Sequence, residues 1–185
     1  MKDIIIIGAG AAGMSATVYA SSRGLSVVLL EAAMCGGKMA RSDYLNCLPW
    51  CSSVTGWEMA FNMLRRLEEE GVAVTYDRAL QVSRSGNGFA VSGEKDHYFG
   101  RCVILATGKA ERTKIPALVC GEDLLVSDIN GDLRVLTDNS CRTSVPGVFA
   151  AGEVRGGGPV SVVTSLADGV VAVISAADYI MGQDS

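Results

Sequence analysis

Residues 4–31 read IIIIGAGAAGMSATVYASSRGLSVVLLE, and this stretch decides the fold of the chain. A β-branched apolar run at 4–7 leads directly into a glycine-rich turn at 8–13. Small residues over 14–22 then predict a helix, and a second apolar run stops at Glu31. Strand, glycine turn, helix, strand and acid, in this order, form the βαβ unit that binds dinucleotides.

Each glycine of the turn has its own role in this motif. Gly8 permits the tight turn, Gly10 lets the backbone approach a pyrophosphate, and Gly13 lets the helix pack against the strand. The free N–H groups at the helix start, from Ala11 onward, then face the phosphate charge. Glu31 sits where a carboxylate can accept both hydroxyls of an adenosine ribose. The alternative is a βαβ turn that binds no nucleotide.

The composition narrows the classes of function. The 185 residues are 49% hydrophobic and carry a net charge of −4, with both signs mixed along the chain, which predicts no nucleic-acid partner. We expect no membrane partner, because no stretch looks long enough to span a bilayer. Six cysteines without a secretory signal indicate a reducing, cytoplasmic compartment. No C-x-x-C pair occurs and His97 is the only histidine, so we expect no metal site.

The rest of the pattern predicts an α/β, Rossmann-like domain with a parallel central sheet and a small antiparallel β-meander. The predicted elements after Glu31 are a helix over 58–70 with a capping box, a strand over 72–76, a meander within 80–105, a strand over 148–151 and a helix over 161–181. Residues 115–130 predict only a surface connection. We expect Gly182 to end the last helix, and its apolar face to consist of Leu166, Val170, Val173, Ile174 and Ala177.

Four blocks follow one another along the chain: residues 8–13 with Glu31, GGKM at 36–39 with Asn46, ATG at 106–108, and TSVPGVFAAGE at 143–153. Together they resemble the FAD-binding half of the thioredoxin-reductase-like pyridine-nucleotide-disulfide oxidoreductases. The resemblance covers almost the whole chain. It implies FAD, rather than NAD, as the cofactor of the first glycine turn.

One departure from that family determines the predicted domain organisation. Family members insert an NADPH-binding domain, which carries a second glycine motif and a redox-active C-x-x-C, between the third and fourth blocks. Here Gly131 follows Gly108 after only about 23 positions, too few for a βαβ unit with its sheet. We therefore predict a single FAD-binding domain over 1–185, with segments 1–115 and 131–185 joined by a short linker in place of the NADPH domain.

The resemblance implies roles for residues at the adenosine end of FAD. The pyrophosphate would lie on the backbone of the glycine turn, at Gly8, Gly10, Ala11 and Gly13. Glu31 would bind the adenosine ribose, and the backbone at Val74 would meet the adenine. Thr107 and Gly108 would support the adenosine side.

Residues implied at the flavin end lie in two loops and one helix start: Gly37, Lys38, Asn46, Gly152, Glu153 and Val162. Glu153 stands where the family has aspartate and would bond ribityl or phosphate hydroxyls. The helix start at Val162 would direct N–H groups at the flavin, favouring the negative charge that develops on reduction. Lys38 replaces a glutamine, and a cation there would raise the flavin potential. The alternative is a solvated loop lysine.

Two cysteines beside Asn46 are candidate catalytic residues. Cys47 and Cys51 form a C-x3-C pair, a spacing that allows a disulfide in a loop, so they could form a flavin-facing dithiol. Alternatively, they are small apolar residues packed in the loop. Cys35, in the same loop, allows the same two interpretations.

Three functions are compatible with these observations. The first is an FAD flavoprotein oxidoreductase that takes electrons from a partner protein or free reductant and passes them to a thiol–disulfide or other acceptor. The second is the FAD-binding subunit of a split reductase with a separate NADPH-binding subunit, and the third is a non-catalytic flavin-binding module. The resemblance also implies a homodimer, because family members pair through their FAD domains.

Overall fold

The computed structural model describes residues 1–48, 54–109, 124–127, 133–156 and 160–183. The strands within these ranges are β1 (Lys2–Ile7), β2 (Val27–Glu31), β3 (Val74–Tyr76), β4 (Ala79–Ser85), β5 (Gly88–Gly93), β6 (His97–Leu105), β7 (Leu125–Ser127), β8 (Leu133–Val135) and β9 (Val148–Ala150). The helices are α1 (Ala11–Ser22), α2 (Gly56–Glu69) and α3 (Val162–Gln183).

One seven-stranded sheet organises the fold. Strands β3, β2, β1 and β6 are neighbours in that order and run parallel. The amino-terminal half of β6 pairs antiparallel with β5, which pairs with β4, whereas its carboxyl-terminal half pairs parallel with β9. Strands β7 and β8 form a separate antiparallel ribbon. The predicted α/β fold, with a parallel central sheet and an antiparallel meander, is confirmed.

Both faces of the central sheet are covered. Successive residues of a strand point to opposite faces, and all four isoleucines of β1 are buried. Ile4 and Ile6 pack in a cluster with residues of α1, α2 and α3. Ile5 and Ile7 pack in a second cluster that includes Phe89 of the meander. The unbroken apolar run of β1 is therefore explained by burial on both sides.

Helices α1 and α3 approach closely through small residues. A Cβ added at Gly169 would collide with the carbonyl oxygen of Ala12 and lie 3.0 Å from the backbone nitrogen of Ala16. The buried side of α3 consists of small or β-branched residues: Gly169, Ala172, Val173, Ser175, Ala176 and Ile180. The amino-terminal half of α3 therefore lies against the start of α1.

Several predicted details of the elements are wrong. Ile174, predicted on the apolar face of α3, is 45% exposed, because the buried face follows the small residues that fit against α1. Helix α3 continues past Gly182 to Gln183. Strand β3 starts at Val74 rather than at 72. Strand β7 lies in the segment predicted as a surface connection. The capping box of α2 is confirmed, with Thr55 as its N-cap.

Helix α3 also corrects the expectation that no stretch could span a bilayer. Its 22 residues are long and apolar enough to do so by length and composition. One such helix is weak evidence, since a core helix passes the same test. The packing of α3 on α1, and of its Tyr179 ring edge-to-face against Phe149 of β9, accounts for its apolar character.

The linker between the two predicted segments lies largely outside the described residues, which omit 110–123 and 128–132. The division into segments 1–115 and 131–185 therefore stays a prediction. Among the described residues between β6 and β9, the strands are β7 and β8, which form the ribbon.

Candidate functional site

The glycine turn lies between the end of β1 and the start of α1, at the sheet edge where such folds bind ligands. A Cβ at Gly13 would collide with the carbonyl oxygen of Gly8. One at Gly8 would press on the carbonyl of Ala106, at the end of β6. Gly10 differs, because a Cβ there would meet nothing within 4 Å. Gly8 and Gly13 serve the packing of the turn, whereas Gly10 leaves open space for a ligand.

Helix α1 begins without a capping partner from the described chain. Its N-cap is Gly10, no side chain caps its first N–H groups, and its first turn contains no acidic residue. Uncapped N–H groups at a helix start favour anions, and phosphate in particular. This arrangement fits the predicted pyrophosphate contacts at Gly8, Gly10, Ala11 and Gly13.

Glu31 ends β2 beside the glycine turn. Its carboxylate accepts the N–H of Ala9 at 2.8 Å and the N–H of Ala33 at 2.8 Å. These bonds hold the half-buried carboxylate between the turn and the loop that follows β2. The position fits the predicted contact with an adenosine ribose.

Thr107 and Gly108 follow β6 at the same edge of the sheet. The Oγ1 atom of Thr107 is buried and has no hydrogen-bond partner among the described residues. A buried hydroxyl without a hydrogen-bond partner is destabilising, so a polar ligand atom that bonds it would stabilise the protein. This orphaned hydroxyl fits a nucleotide on the predicted adenosine side.

The structure places Val74 differently from the other adenosine-end residues. Val74 is the first residue of β3 and pairs with Leu29, whereas Tyr76 ends β3 and pairs with Glu31. Ligands bind at the carboxyl ends of such strands. Tyr76, which was not predicted as a site residue, therefore lies at the ligand edge. The feature that places Tyr76 beside Glu31 is the β2–β3 register, which cannot be predicted from the sequence of either strand alone.

The loop after β2 brings Lys38 to Glu153, 115 residues further along the chain. The Nζ of Lys38 lies 3.3 Å from Oε1 of Glu153, and the Lys38 side chain is 78% exposed. Gly37 in the same loop packs near Gly10, with an added Cβ 3.5 Å from the Cα of Gly10. The pairing brings together two residues predicted at the flavin. It also offsets part of the positive charge that Lys38 would present there.

The candidate dithiol is described only in part. Asn46 and Cys47 are exposed, and Cys51 lies outside the described residues, so the Cys47–Cys51 hypothesis stays a prediction. Cys35 is buried. Burial raises the pKa of the Cys35 thiol, and the charge of Glu31 raises it further. A bond with the Tyr76 hydroxyl lowers this pKa, but by less than burial raises it. A protonated thiol is a poor nucleophile, which disfavours a redox role for Cys35.

Val162 is the first residue of α3, as the predicted flavin contact requires. The hydroxyl of Ser161 accepts the N–H of Thr164 at 3.1 Å, and the hydroxyl of Thr164 accepts the N–H of Ser161 at 3.0 Å. These bonds fix the helix start from within the chain. The predicted flavin contact at Val162 would therefore use N–H groups of the first turn that this reciprocal cap does not bond.

A charged pair next to Glu153, Arg155 with Asp168, was not predicted from the sequence. Nη1 of Arg155 lies 2.6 Å from Oδ1 of Asp168, and Oδ2 of Asp168 accepts the N–H of Gly152 at 3.1 Å. Arg155 also donates to three groups of one loop, at Thr137, Asp138 and Cys141. The pair fastens the 3₁₀ turn Gly152–Arg155 to α3. No local spacing rule marks two opposite charges 13 residues apart.

We expect Asp168→Ala to lower the free energy of unfolding by about 2–4 kcal/mol, because it removes the carboxylate partner of the half-buried Arg155 and the acceptor of the Gly152 N–H. Asp168→Asn should lose less, since its amide oxygen can still accept from Gly152. Urea denaturation measures both. Glu69→Ala is the control, because its exposed pair with Arg66 should contribute only about 0.5 kcal/mol. Equal losses for Asp168→Ala and Glu69→Ala would contradict the anchoring role.

Comparisons with known proteins identify the family. Residues 40–169 match the pyridine nucleotide-disulphide oxidoreductase family, and residues 3–43 match the FAD dependent oxidoreductase family. Thioredoxin reductase of Bacillus subtilis is 35% identical over 113 residues, 61% of this chain and 35% of that protein. Thioredoxin reductase of Treponema pallidum is 32% identical over 111 residues, 60% and 36% of the two chains. The chain thus spans about a third of the length of these curated relatives.

Solved structures share the fold. Thioredoxin reductase of Lactococcus lactis aligns with a TM-score of 0.82 at 18% identity, over 98% of this chain and 100% of that one. A ferredoxin-flavin thioredoxin reductase of Clostridium acetobutylicum aligns with a TM-score of 0.80 at 18% identity, over 99% and 98%. The predicted resemblance is confirmed, and FAD is the cofactor that the matched families and the nucleotide edge both indicate. The chain belongs to the pyridine nucleotide-disulphide oxidoreductase family, as a thioredoxin-reductase-like, FAD-binding member.

Proposed function

We propose that the chain is an FAD-dependent oxidoreductase that receives electrons from a partner protein or free reductant and passes them to a thiol–disulfide or other acceptor. The main support for this proposal is the length of one segment. Only about 23 positions connect Gly108 to Gly131, where the family resemblance implies an NADPH domain. That stretch is too short for a second nucleotide-binding unit. The donor would therefore act on the flavin without being held by such an insertion.

The residues at the sheet edge have distinct tasks in this proposal. FAD, when bound, supplies the two-electron redox chemistry. Gly10 and the start of α1 hold the pyrophosphate, and Glu31 holds the adenosine ribose. Lys38 and Glu153 form the polar pair at the flavin end, so the local charge there is close to balanced.

The electron count limits the donors that fit a disulfide acceptor. Reduction of a disulfide consumes two electrons and two protons and yields two thiols. A reduced electron-carrier protein or a dithiol can supply these electrons. The same fold occurs in a protein named a ferredoxin-flavin thioredoxin reductase, which supports testing a ferredoxin-type donor first. We also propose a homodimer in the cytoplasm, on the strength of the resemblance and the cysteine content.

Anaerobic stopped-flow on the FAD-loaded chain tests the proposal. We expect NADPH to bleach the flavin slowly or not at all, because Gly108 to Gly131 leaves no room for a nicotinamide site. Reduced ferredoxin should bleach it rapidly, and dithionite serves as the control that the flavin is reducible. Millisecond reduction by NADPH would contradict the donor assignment. Chromatography of the heat-released cofactor checks FAD separately, and recovery of FMN would overturn the cofactor.

A further inference from the structure

Tyr76 combines an exposed ring with a fixed position. Its side chain is 53% exposed. Even so, its hydroxyl lies 3.3 Å from the Sγ of the buried Cys35, within hydrogen-bond distance for sulfur. The Nζ of Lys95 donates to the Tyr76 carbonyl oxygen at 2.7 Å. The hydroxyl and the carbonyl of Tyr76 are therefore both bonded to the protein, while about half of the residue remains exposed.

The residue after Tyr76 anchors the strand end further. Asp77 is only 2% exposed, and its carboxylate accepts the N–H of Lys95 at 3.1 Å and the N–H of Asp96 at 3.1 Å. It also accepts the hydroxyl of Tyr98 at 2.8 Å. A buried carboxylate with this many donors holds the backbone firmly. With the backbone anchored at Asp77 and the hydroxyl bonded to Cys35, the Tyr76 ring is preorganised.

Tyr76 also has the right neighbour for a nucleotide contact. It pairs with Glu31 in the β2–β3 register, and Glu31 is the residue predicted at the adenosine ribose. The bond with Cys35 raises the pKa of the Tyr76 hydroxyl, and burial and the charges of Cys35 and Glu31 raise it further. The ring is therefore uncharged at neutral pH, as a surface for a neutral base requires.

We propose that Tyr76 is a specificity-determining residue whose fixed ring packs against the adenine of FAD, with Cys35 as a positioning residue for that ring. The inference rests on FAD as the cofactor and deepens it. A preorganised aromatic surface loses little side-chain freedom on binding, and stacking on an aromatic ring accommodates the face of a purine. The adenosine half of the ligand would then contribute affinity that FMN cannot obtain.

Titration calorimetry on the full chain stripped of its flavin tests this with three probes: FAD, ADP and FMN. Tyr76→Ala should weaken FAD and ADP binding by the same factor, roughly 5- to 100-fold, and leave FMN binding unchanged. Tyr76→Phe and Cys35→Ala each remove the hydroxyl–thiol bond but keep the ring, so both should show the same smaller loss for ADP. Cys35→Ser keeps a hydrogen-bonding atom and should restore the affinity.

Phe99→Ala is the matched control. Phe99 is 48% exposed but lies in the amino-terminal half of β6, at the opposite end of the sheet, so its removal should leave all three affinities unchanged. A Tyr76→Ala chain with parental ADP affinity would overturn the inference. Equal losses for FAD and FMN would also overturn it, because they would indicate a general distortion. A parental chain that binds FMN but not FAD would instead overturn the cofactor assignment itself.

Discussion

Gly10→Val should fold like the parental chain and lose roughly 100-fold or more in FAD affinity. The backbone at Gly10, with φ −82° and ψ −170°, suits any residue. A Cβ there meets nothing within 4 Å. The added side chain would instead occupy the space beside the uncapped N–H groups of α1, displacing two or more charge-assisted bonds to the pyrophosphate. Fluorescence titration with FAD measures the affinity, and thermal unfolding without FAD measures the fold.

Two other glycines provide the controls. Gly13→Val should not fold, because its side chain would collide with the carbonyl oxygen of Gly8. Gly182 near the end of α3 also has open space around it, so Gly182→Ala should leave both the fold and the FAD affinity unchanged. Parental FAD affinity in Gly10→Val would refute the placement of the pyrophosphate at this turn.

Asp77→Ala should lower the free energy of unfolding by about 3–5 kcal/mol. The substitution leaves two backbone N–H groups and the hydroxyl of Tyr98 without their acceptor in a site that excludes water. Asp77→Asn should lose less, since one acceptor oxygen remains. Urea denaturation measures the loss, and Asp178→Ala, on an exposed position of α3, should change stability by no more than about 0.5 kcal/mol.

The same carboxylate gives the stability a pH dependence. Burial disfavours the charge of Asp77, but the bonds from Tyr98, Lys95 and Asp96 outweigh it and lower its pKa below the usual 3.8. A lowered folded pKa adds stability above the unfolded pKa, and this contribution is lost as pH falls through the folded pKa. The free energy of unfolding should therefore decline below about pH 4, and less steeply in Asp77→Asn. Identical slopes in the two chains would exclude Asp77 as the cause.

Local determinants explain which features could be predicted from the sequence. Three features could be predicted because each depends on residues that are close in sequence. They are the glycine turn with α1, the Glu31 that ends β2, and the Thr55 capping box. The exposure of Ile174 on α3 could not be predicted, because the rotation of α3 depends on where Gly169 meets α1. The Arg155–Asp168 pair and the Glu31–Tyr76 register were missed for the same reason: each joins segments whose alignment only the folded chain defines.

The divided pairing of β6 has a consequence for the order of folding. Its amino-terminal half pairs with β5, which precedes it closely, but its carboxyl-terminal half waits for β9, more than 40 residues later. During synthesis the meander can therefore form first, while the edge that carries Thr107 remains unpaired until β9 emerges. Closing such a distant contact is slow compared with a hairpin. We therefore expect the cofactor to bind late in the maturation of this chain.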